Sequence, residues 1–173
     1  SLFPRLAARG VPVVVVPELV REVSPRHDPR VVRALTDVFR TQAVDVVHTN
    51  SSKAGIVGRY AARRAAVPRV VHTVHGWPFH DHQPRPVAEV WKRLERRAAP
   101  LADALVVVAE TDREKGLAAR VGRPEQYVTV RSGLELDLYG PDPAARAAVR
   151  AELGLPADAV VVGAVNRLSP QKD

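Results

Sequence analysis

Residues 44–75 read VDVVHTNSSKAGIVGRYAARRAAVPRVVHTVH, and the order of residue types in them decides the fold. Val44–His48 is a short apolar run of β-branched residues, Ser51–Ala66 places small and apolar residues at helical spacing, and Arg69–His75 is a second valine-rich run. Strand, helix and strand in about 30 residues make a βαβ unit, which requires a parallel sheet.

The same rhythm extends outward in both directions. Strands are predicted at Val11–Pro17, Val44–His48, Arg69–His75, Ala104–Ala109, Tyr127–Arg131 and Val160–Asn166, with helices at Pro29–Thr41, Ser51–Ala66, Pro84–Ala98, Thr111–Val121 and Pro143–Leu153. Several strands are continuously apolar where a one-sided sheet would alternate, so both faces should be covered by helices. The expectation is an α/β, Rossmann-like doubly wound parallel sheet. Punctuation supports the helix ends: Asp28 and Asp142 precede prolines as N-caps, Thr111 to Glu114 fits a capping box, and Gly154 follows the last helix. Gly55 and Gly58 lack the spacing of dinucleotide and P-loop sites and are read as points of close helix-to-sheet packing.

Composition bounds the possibilities. The 173 residues are 46% hydrophobic and 26% charged, which fits a folded domain and excludes a disordered chain. With no cysteine there are no disulfides, thiolate metal sites or cysteine nucleophiles. No apolar run approaches the ~20 residues that cross a bilayer, and the opening SLFPRLAARG lacks the apolar stretch and cleavage site of a signal peptide. The net charge of +7 invites an anionic partner. The cations are scattered, however, over Arg59, Arg63 and Arg64, then Lys92, Arg93, Arg96 and Arg97, then Arg146 and Arg150, and they are read as solvated helix faces. Methionine is absent and the βα rhythm breaks off at both ends, so a strand and its loop are expected before residue 1 and further elements after residue 173.

Ligands of open α/β sheets bind beyond the carboxyl ends of the strands, and four such places carry polar residues. At His48–Gly55, small polar residues lead from a strand into a helix and could meet an anion, although N-capping by Asn50 or Ser51 explains them equally well. The second, residues 71–82, holds four histidines; His72 and His75 project to opposite faces of an extended strand and cannot share a metal ion, whereas His75, beside Gly76, is placed to meet a ligand or simply to hold a turn. Residues 131–135 read as a plain turn. Residues 166–172 set Arg167 and Lys172 after the last strand, a combination suited to a diphosphate.

Together these segments resemble family 4 glycosyltransferases, retaining enzymes of the GT-B fold that use nucleotide sugars. The resemblance rests on DVVHTNSSKAGIVGRYAARRAAVPRVVHTVHGWPF, on VTVRSGLELDLY and on the tail VVGAVNRLSPQKD, in the family's order. It implies the N-terminal, acceptor-side half of a two-domain enzyme: residues 1–155 form the first domain, and residues 156–173 supply the linker and the first strand of a C-terminal nucleotide-sugar-binding domain. The linker is read at Gly154–Asp158. His75 matches the family's histidine near the transferred sugar. Gly76, Ser51, Ser52 and Lys53 fall in matched substrate-binding segments, and Arg167 and Lys172 match the basic pair on the donor diphosphate. Asn166 stands where the family has glycine.

The resemblance further implies transfer of a hexose or its derivative from a nucleoside diphosphate to a sugar or lipid-linked acceptor. No cofactor beyond that donor substrate is expected. No metal is expected either, since the sequence carries no Asp-x-Asp motif. The family's glycine-rich first loop and acidic E-x7-E segment are not in this sequence, so the 173-residue chain alone is expected to be inactive. The implied location is cytoplasmic, with possible peripheral contact at the inner face of the membrane and no nucleic-acid partner. Two rivals are a GT-B nucleotide-sugar epimerase and a non-catalytic basic module that binds anionic polymers or membrane.

Overall fold

The computed structural model describes residues 3–20, 23–24, 26–80, 83–138 and 140–165. The chain forms two compact units, residues 1–131 and 132–173.

The first unit holds a four-stranded parallel sheet: β1 (Val46–Asn50), β2 (Arg69–Val74), β3 (Ala104–Val107) and β4 (Tyr127–Thr129), in that spatial order. Its helices are α1 (Phe3–Ala7), α2 (Asp28–Thr41), α3 (Ser52–Arg64), α4 (Arg85–Ala98) and α5 (Glu110–Ala118). Helices α3, α4 and α5 are the crossovers between successive strands. The register aligns Thr49, His72, Leu105 and Tyr127 in one row across all four strands. In parallel pairs such residues share a face, and this one is sealed: each member of the row is buried.

Glycines set the distance between α3 and that face. A Cβ on Gly55 would stand 2.3 Å from His72 Cε1, and one on Gly58 would stand 2.7 Å from Thr49 Cγ2. Both packing roles expected of these glycines are therefore observed. The opposite face is more open, with Val46 and Val128 about half exposed. Parallel strands joined through helices make this the α/β, Rossmann-like sheet expected from the sequence.

Two expected strands are corrected. Val11–Val16 and the described part of Val160–Asn166 run without sheet partners, and Val14, Val160 and Val162 are exposed. Valine content alone cannot make a strand, because each extended segment needs a paired neighbour for its backbone groups. Pro12 also removes one donor from the first run.

The core joins Val47, Val70, Val74, Leu105, Val107, Val121 and Tyr127, with Trp77 added from the loop after β2. It also holds charge. Arg59, expected on a solvated helix face, is fully buried; it donates from Nη2 to Glu95 at 2.6 Å and from Nε to the Gly55 carbonyl at 3.0 Å. Burial lifts the Glu95 carboxyl above its usual range even though Arg59 opposes the shift. Breaking such a pair leaves an uncompensated interior charge and costs about 3–5 kcal/mol.

Helix starts also differ from expectation. Asp28 lies inside α2 rather than at its N-cap, because its carboxylate is held by the Ser24 amide at 3.0 Å and by Lys53 at 2.8 Å. Helix α5 begins at Glu110, so Thr111 does not cap it; Glu110 instead accepts from Arg113 and Thr129, each at 2.8 Å. In the second unit, Asp142 does cap α6 (Pro143–Glu152), accepting from Ala145 N at 2.9 Å. Gly154 ends that helix in the left-handed region. Arg150, also expected to be solvated, is buried and donates to the Pro156 and Ala159 carbonyls.

Candidate functional site

The carboxyl ends of β1 and β2 meet at the sheet edge where a ligand would approach. Asn50 is the last residue of β1, and the register sets it opposite Thr73. His75 lies two residues beyond Thr73, on the same side of the strand. Its Nε2 is 3.0 Å from Asn50 Oδ1, and its ring is exposed. An amide oxygen only accepts, so Nε2 is the donor of this bond and Nδ1 points away from it. Two residues back on each strand, His48 Nε2 lies 2.7 Å from Thr73 Oγ1. The open side of the sheet end therefore carries two adjoining imidazole pairs.

Backbone geometry opens space around them. Gly76 has φ 126°, and Ser51 has φ 66° with ψ 160°, a region occupied almost only by glycine. This turn swings the chain from β1 into α3, whose first free amides sit at the positive end of the helix dipole. Neither Asn50 nor Ser51 caps α3 with its side chain: Asn50 goes to His75, and α3 has no side-chain cap hydrogen bond. The capping alternative is thereby removed.

The histidines separate as strand alternation requires. His72 points into the core, with its Nδ1 2.9 Å from Thr49 Oγ1. Burial first, then the Arg59 charge, lowers its pKa to about 3, so at neutral pH it is an uncharged core group. Among the described residues no three His, Cys, Asp or Glu side chains gather as metal ligands.

Of the sequence-predicted site residues, His75, Gly76, Ser51 and Ser52 come together at this sheet end. Lys53 starts from the same helix turn but is 8% exposed, with its ammonium 2.8 Å from Asp28 Oδ1. Arg167 and Lys172 lie outside the described residues, as does Asn166. Sequence reasoning missed the pairing of Asn50 with His75. Its only trace was register: Asn50 closes one strand and His75 the next.

Past Gly76 the loop turns inward. Trp77 is buried and donates from Nε1 to the Asp112 carbonyl at 2.7 Å, and its ring stacks on Phe79 with centroids 5.3 Å apart. A second missed feature follows, a cavity of about 650 Å³ lined by Phe79, Gln83, Arg85, Glu89, Lys92 and Lys115 among others.

Comparison with known proteins places the chain in a family and a fold. A family model described as a glycosyl transferase 4-like domain matches residues 2–133. The chain is 35% identical over 158 residues to the UDP-Gal:alpha-D-GlcNAc-diphosphoundecaprenol alpha-1,3-galactosyltransferase of Escherichia coli, covering 91% of this chain and 41% of the relative. It is 32% identical over 197 residues to the D-inositol 3-phosphate glycosyltransferase of Thermobispora bispora, covering 99% and 45%. This chain thus spans less than half the length of either relative. Among solved structures, a glycosyltransferase from Rickettsia africae matches with TM-score 0.65 and 14% identity over 91% of this chain and 40% of that one. Anabaena HepE in complex with UDP-glucose matches with TM-score 0.59 and 21% identity over 88% and 39%. At such identities the structures speak for the fold alone. No helix among the described residues is long and apolar enough to cross a membrane. With the family model covering most of its length, the chain belongs to the glycosyl transferase 4-like domain family.

Proposed function

We propose that this chain is the acceptor-side half of a retaining glycosyltransferase that moves a hexose or its derivative from a nucleoside diphosphate to a sugar or lipid-linked acceptor. The observation that carries the reading is the exposed His75 at the end of β2, held at 3.0 Å by Asn50 beside the positive-φ Gly76 and Ser51. An imidazole fixed in this way offers Nδ1 to a sugar hydroxyl, which orients the anomeric carbon. Ser51, Ser52 and the first amides of α3 present donors to an anionic group. Lys53 acts from behind, since its ammonium ties α3 to Asp28. The glycosidic bond to the diphosphate breaks with its electron pair leaving on the phosphate oxygen, the acceptor hydroxyl oxygen bonds the anomeric carbon on that same face and gives its proton to the departing phosphate oxygen, and Arg167 and Lys172 offset the remaining charge. A nucleotide-binding domain completes the cleft, and the 173 residues alone do not turn over.

The relatives support this chemistry. One is named for a UDP-linked sugar and a lipid diphosphate acceptor, and another for a phosphorylated inositol acceptor. By extension the enzyme works in the cytoplasm and touches the inner face of the membrane peripherally. No metal or other cofactor is required beyond the donor, and transfer persists in excess chelator.

A donor screen on the full protein, comparing wild type with His75→Ala and Arg167→Ala, tests the reading. Loss of His75 should slow transfer by about 10²-fold, the scale of losing one orienting group. Transfer at the wild-type rate in His75→Ala defeats the assignment. Conversion of the donor without any acceptor points to the epimerase instead.

A further inference from the structure

We propose that Asn50 is a positioning residue for sugar transfer: its amide oxygen dictates which nitrogen of the His75 ring is presented to the sugar. The inference rests on the transferase reading and adds to it a residue that acts through another side chain. Three observations carry it.

The first is where the side chain goes. An asparagine at a helix entrance ordinarily caps the helix by accepting from an amide of the first turn. Asn50 ends β1 just before α3, yet its Oδ1 reaches across to the neighbouring strand, 3.0 Å from His75 Nε2. Helix α3 is left without a side-chain cap. A local stabilising bond is forgone for one that fixes the histidine.

The second is the backbone beside it. Ser51, directly after Asn50, holds φ 66° and ψ 160°, a conformation that a side chain opposes. Strain of this kind persists where neighbouring contacts over-determine it, and it gathers at functional sites. The bond between Asn50 and His75 is such a contact, because it pins the strand end from which the turn departs.

The third is the chemistry of the partner. In a neutral imidazole the hydrogen bond made by one ring nitrogen decides the state of the other. The Asn50 oxygen accepts from Nε2, so Nδ1 is left as the acceptor for a sugar hydroxyl. One row back, the same diagonal across the two strands joins His48 Nε2 to Thr73 Oγ1 at 2.7 Å. A hydroxyl donates as readily as it accepts, so that pair imposes no direction. The amide oxygen imposes one on His75, whose exposed ring stands at the ligand-bearing end of the sheet.

Nitrogen-15 labelling of the histidines in the full protein reads the tautomer, since protonated and bare ring nitrogens resonate far apart; the signal lost in His75→Gln assigns His75. At about pH 8, above the ordinary imidazole range, wild-type His75 should carry its proton on Nε2. Asn50→Leu removes the oxygen with little change in volume and should divide the proton between the two nitrogens; if it folds poorly, Asn50→Ala removes the same oxygen. Asn50→Asp keeps an accepting oxygen in place and should restore Nε2. In sugar transfer, Asn50→Leu should lower kcat by about tenfold and leave KM for the donor within about twofold, and Asn50→Asp should recover most of the loss. Added to His75→Ala, Asn50→Leu should slow transfer no further, whereas a merely structural role would slow both backgrounds alike. A wild-type proton on Nδ1, a tautomer unmoved by Asn50→Leu, or equal slowing in the two backgrounds overturns the proposal. The two readings fail separately: a slow His75→Ala beside an Asn50→Leu at the wild-type rate defeats the role of Asn50 alone, while tautomer control by Asn50 with no transfer from any nucleoside diphosphate sugar defeats the transferase reading.

Discussion

Ser51 holds φ 66° and ψ 160°, and a non-glycine residue kept there costs about 1–3 kcal/mol. Ser51→Gly relieves that strain and removes the hydroxyl, so stability in urea should rise by about 1 kcal/mol while sugar transfer by the full protein falls. Greater stability with undiminished transfer would strip the hydroxyl of its proposed role. His72 gives the opposite kind of lesson. Its folded pKa is about 3 against an ordinary 6.5, so the unfolded chain takes up a proton first as pH falls. The stability it contributes is whole above pH 6.5 and declines toward pH 3, at up to about 1.4 kcal/mol per pH unit. Denaturation at pH 7, 6 and 5 should show this slope in wild type and a shallower one in His72→Gln; equal slopes refute it. That His72 and His75 project to opposite faces was legible beforehand, because alternation along a strand is local; which of the two faces is the buried one was not. The contact of His75 with Asn50 was not, because it depends on the register between two strands 25 positions apart in the chain.

Helix ends show where local reading succeeds and where it stops. Asp142 and Gly154 behave as their residue types suggest, since α6 makes no competing demand on either. Asp28 is drawn away by Lys53, and Thr111 is displaced by an earlier start at Glu110, whose carboxylate reaches Thr129 on β4. Tertiary partners overruled the caps. At the carboxyl ends, α2, α3 and α5 all close with a non-glycine residue at positive φ: Ala43, Ala66 and Arg120. After α3 the Val67 amide bonds the Ala62 carbonyl at 3.0 Å and the Ala66 amide bonds Arg63 at 3.1 Å, a Schellman closure that ordinarily carries glycine. Ala66→Gly should therefore stabilise the chain by up to about 1 kcal/mol, the left-handed penalty less the entropy that glycine adds to the unfolded state. Thermal melts of the variant beside Gly154→Ala, which should lose a similar amount, check the sign; a lower midpoint for Ala66→Gly contradicts the account.

At the scale of the whole molecule, the valine runs that announced six strands yield a sheet of four. The four are those whose neighbours in sequence also become neighbours in space, linked by α3, α4 and α5. The runs at Val11–Val16 and Val160–Val165 have the same composition without a partner, and they leave Val14 58% and Val162 95% exposed. Strand β1 is meanwhile an outer strand of the sheet, with Val46 exposed. A row of unpaired backbone groups and free valine-rich segments in one chain favour pairing between copies. The 173-residue chain, purified by itself, should thus show an apparent mass in sedimentation that climbs with concentration. Val14→Lys with Val162→Lys should suppress the climb, since charge on an unpaired run opposes its docking while leaving the core row of Thr49, His72, Leu105 and Tyr127 untouched. A wild-type chain that stays monomeric throughout would mean that the unpaired edge and runs are already blunted, and that apolar composition overstates their tendency to pair.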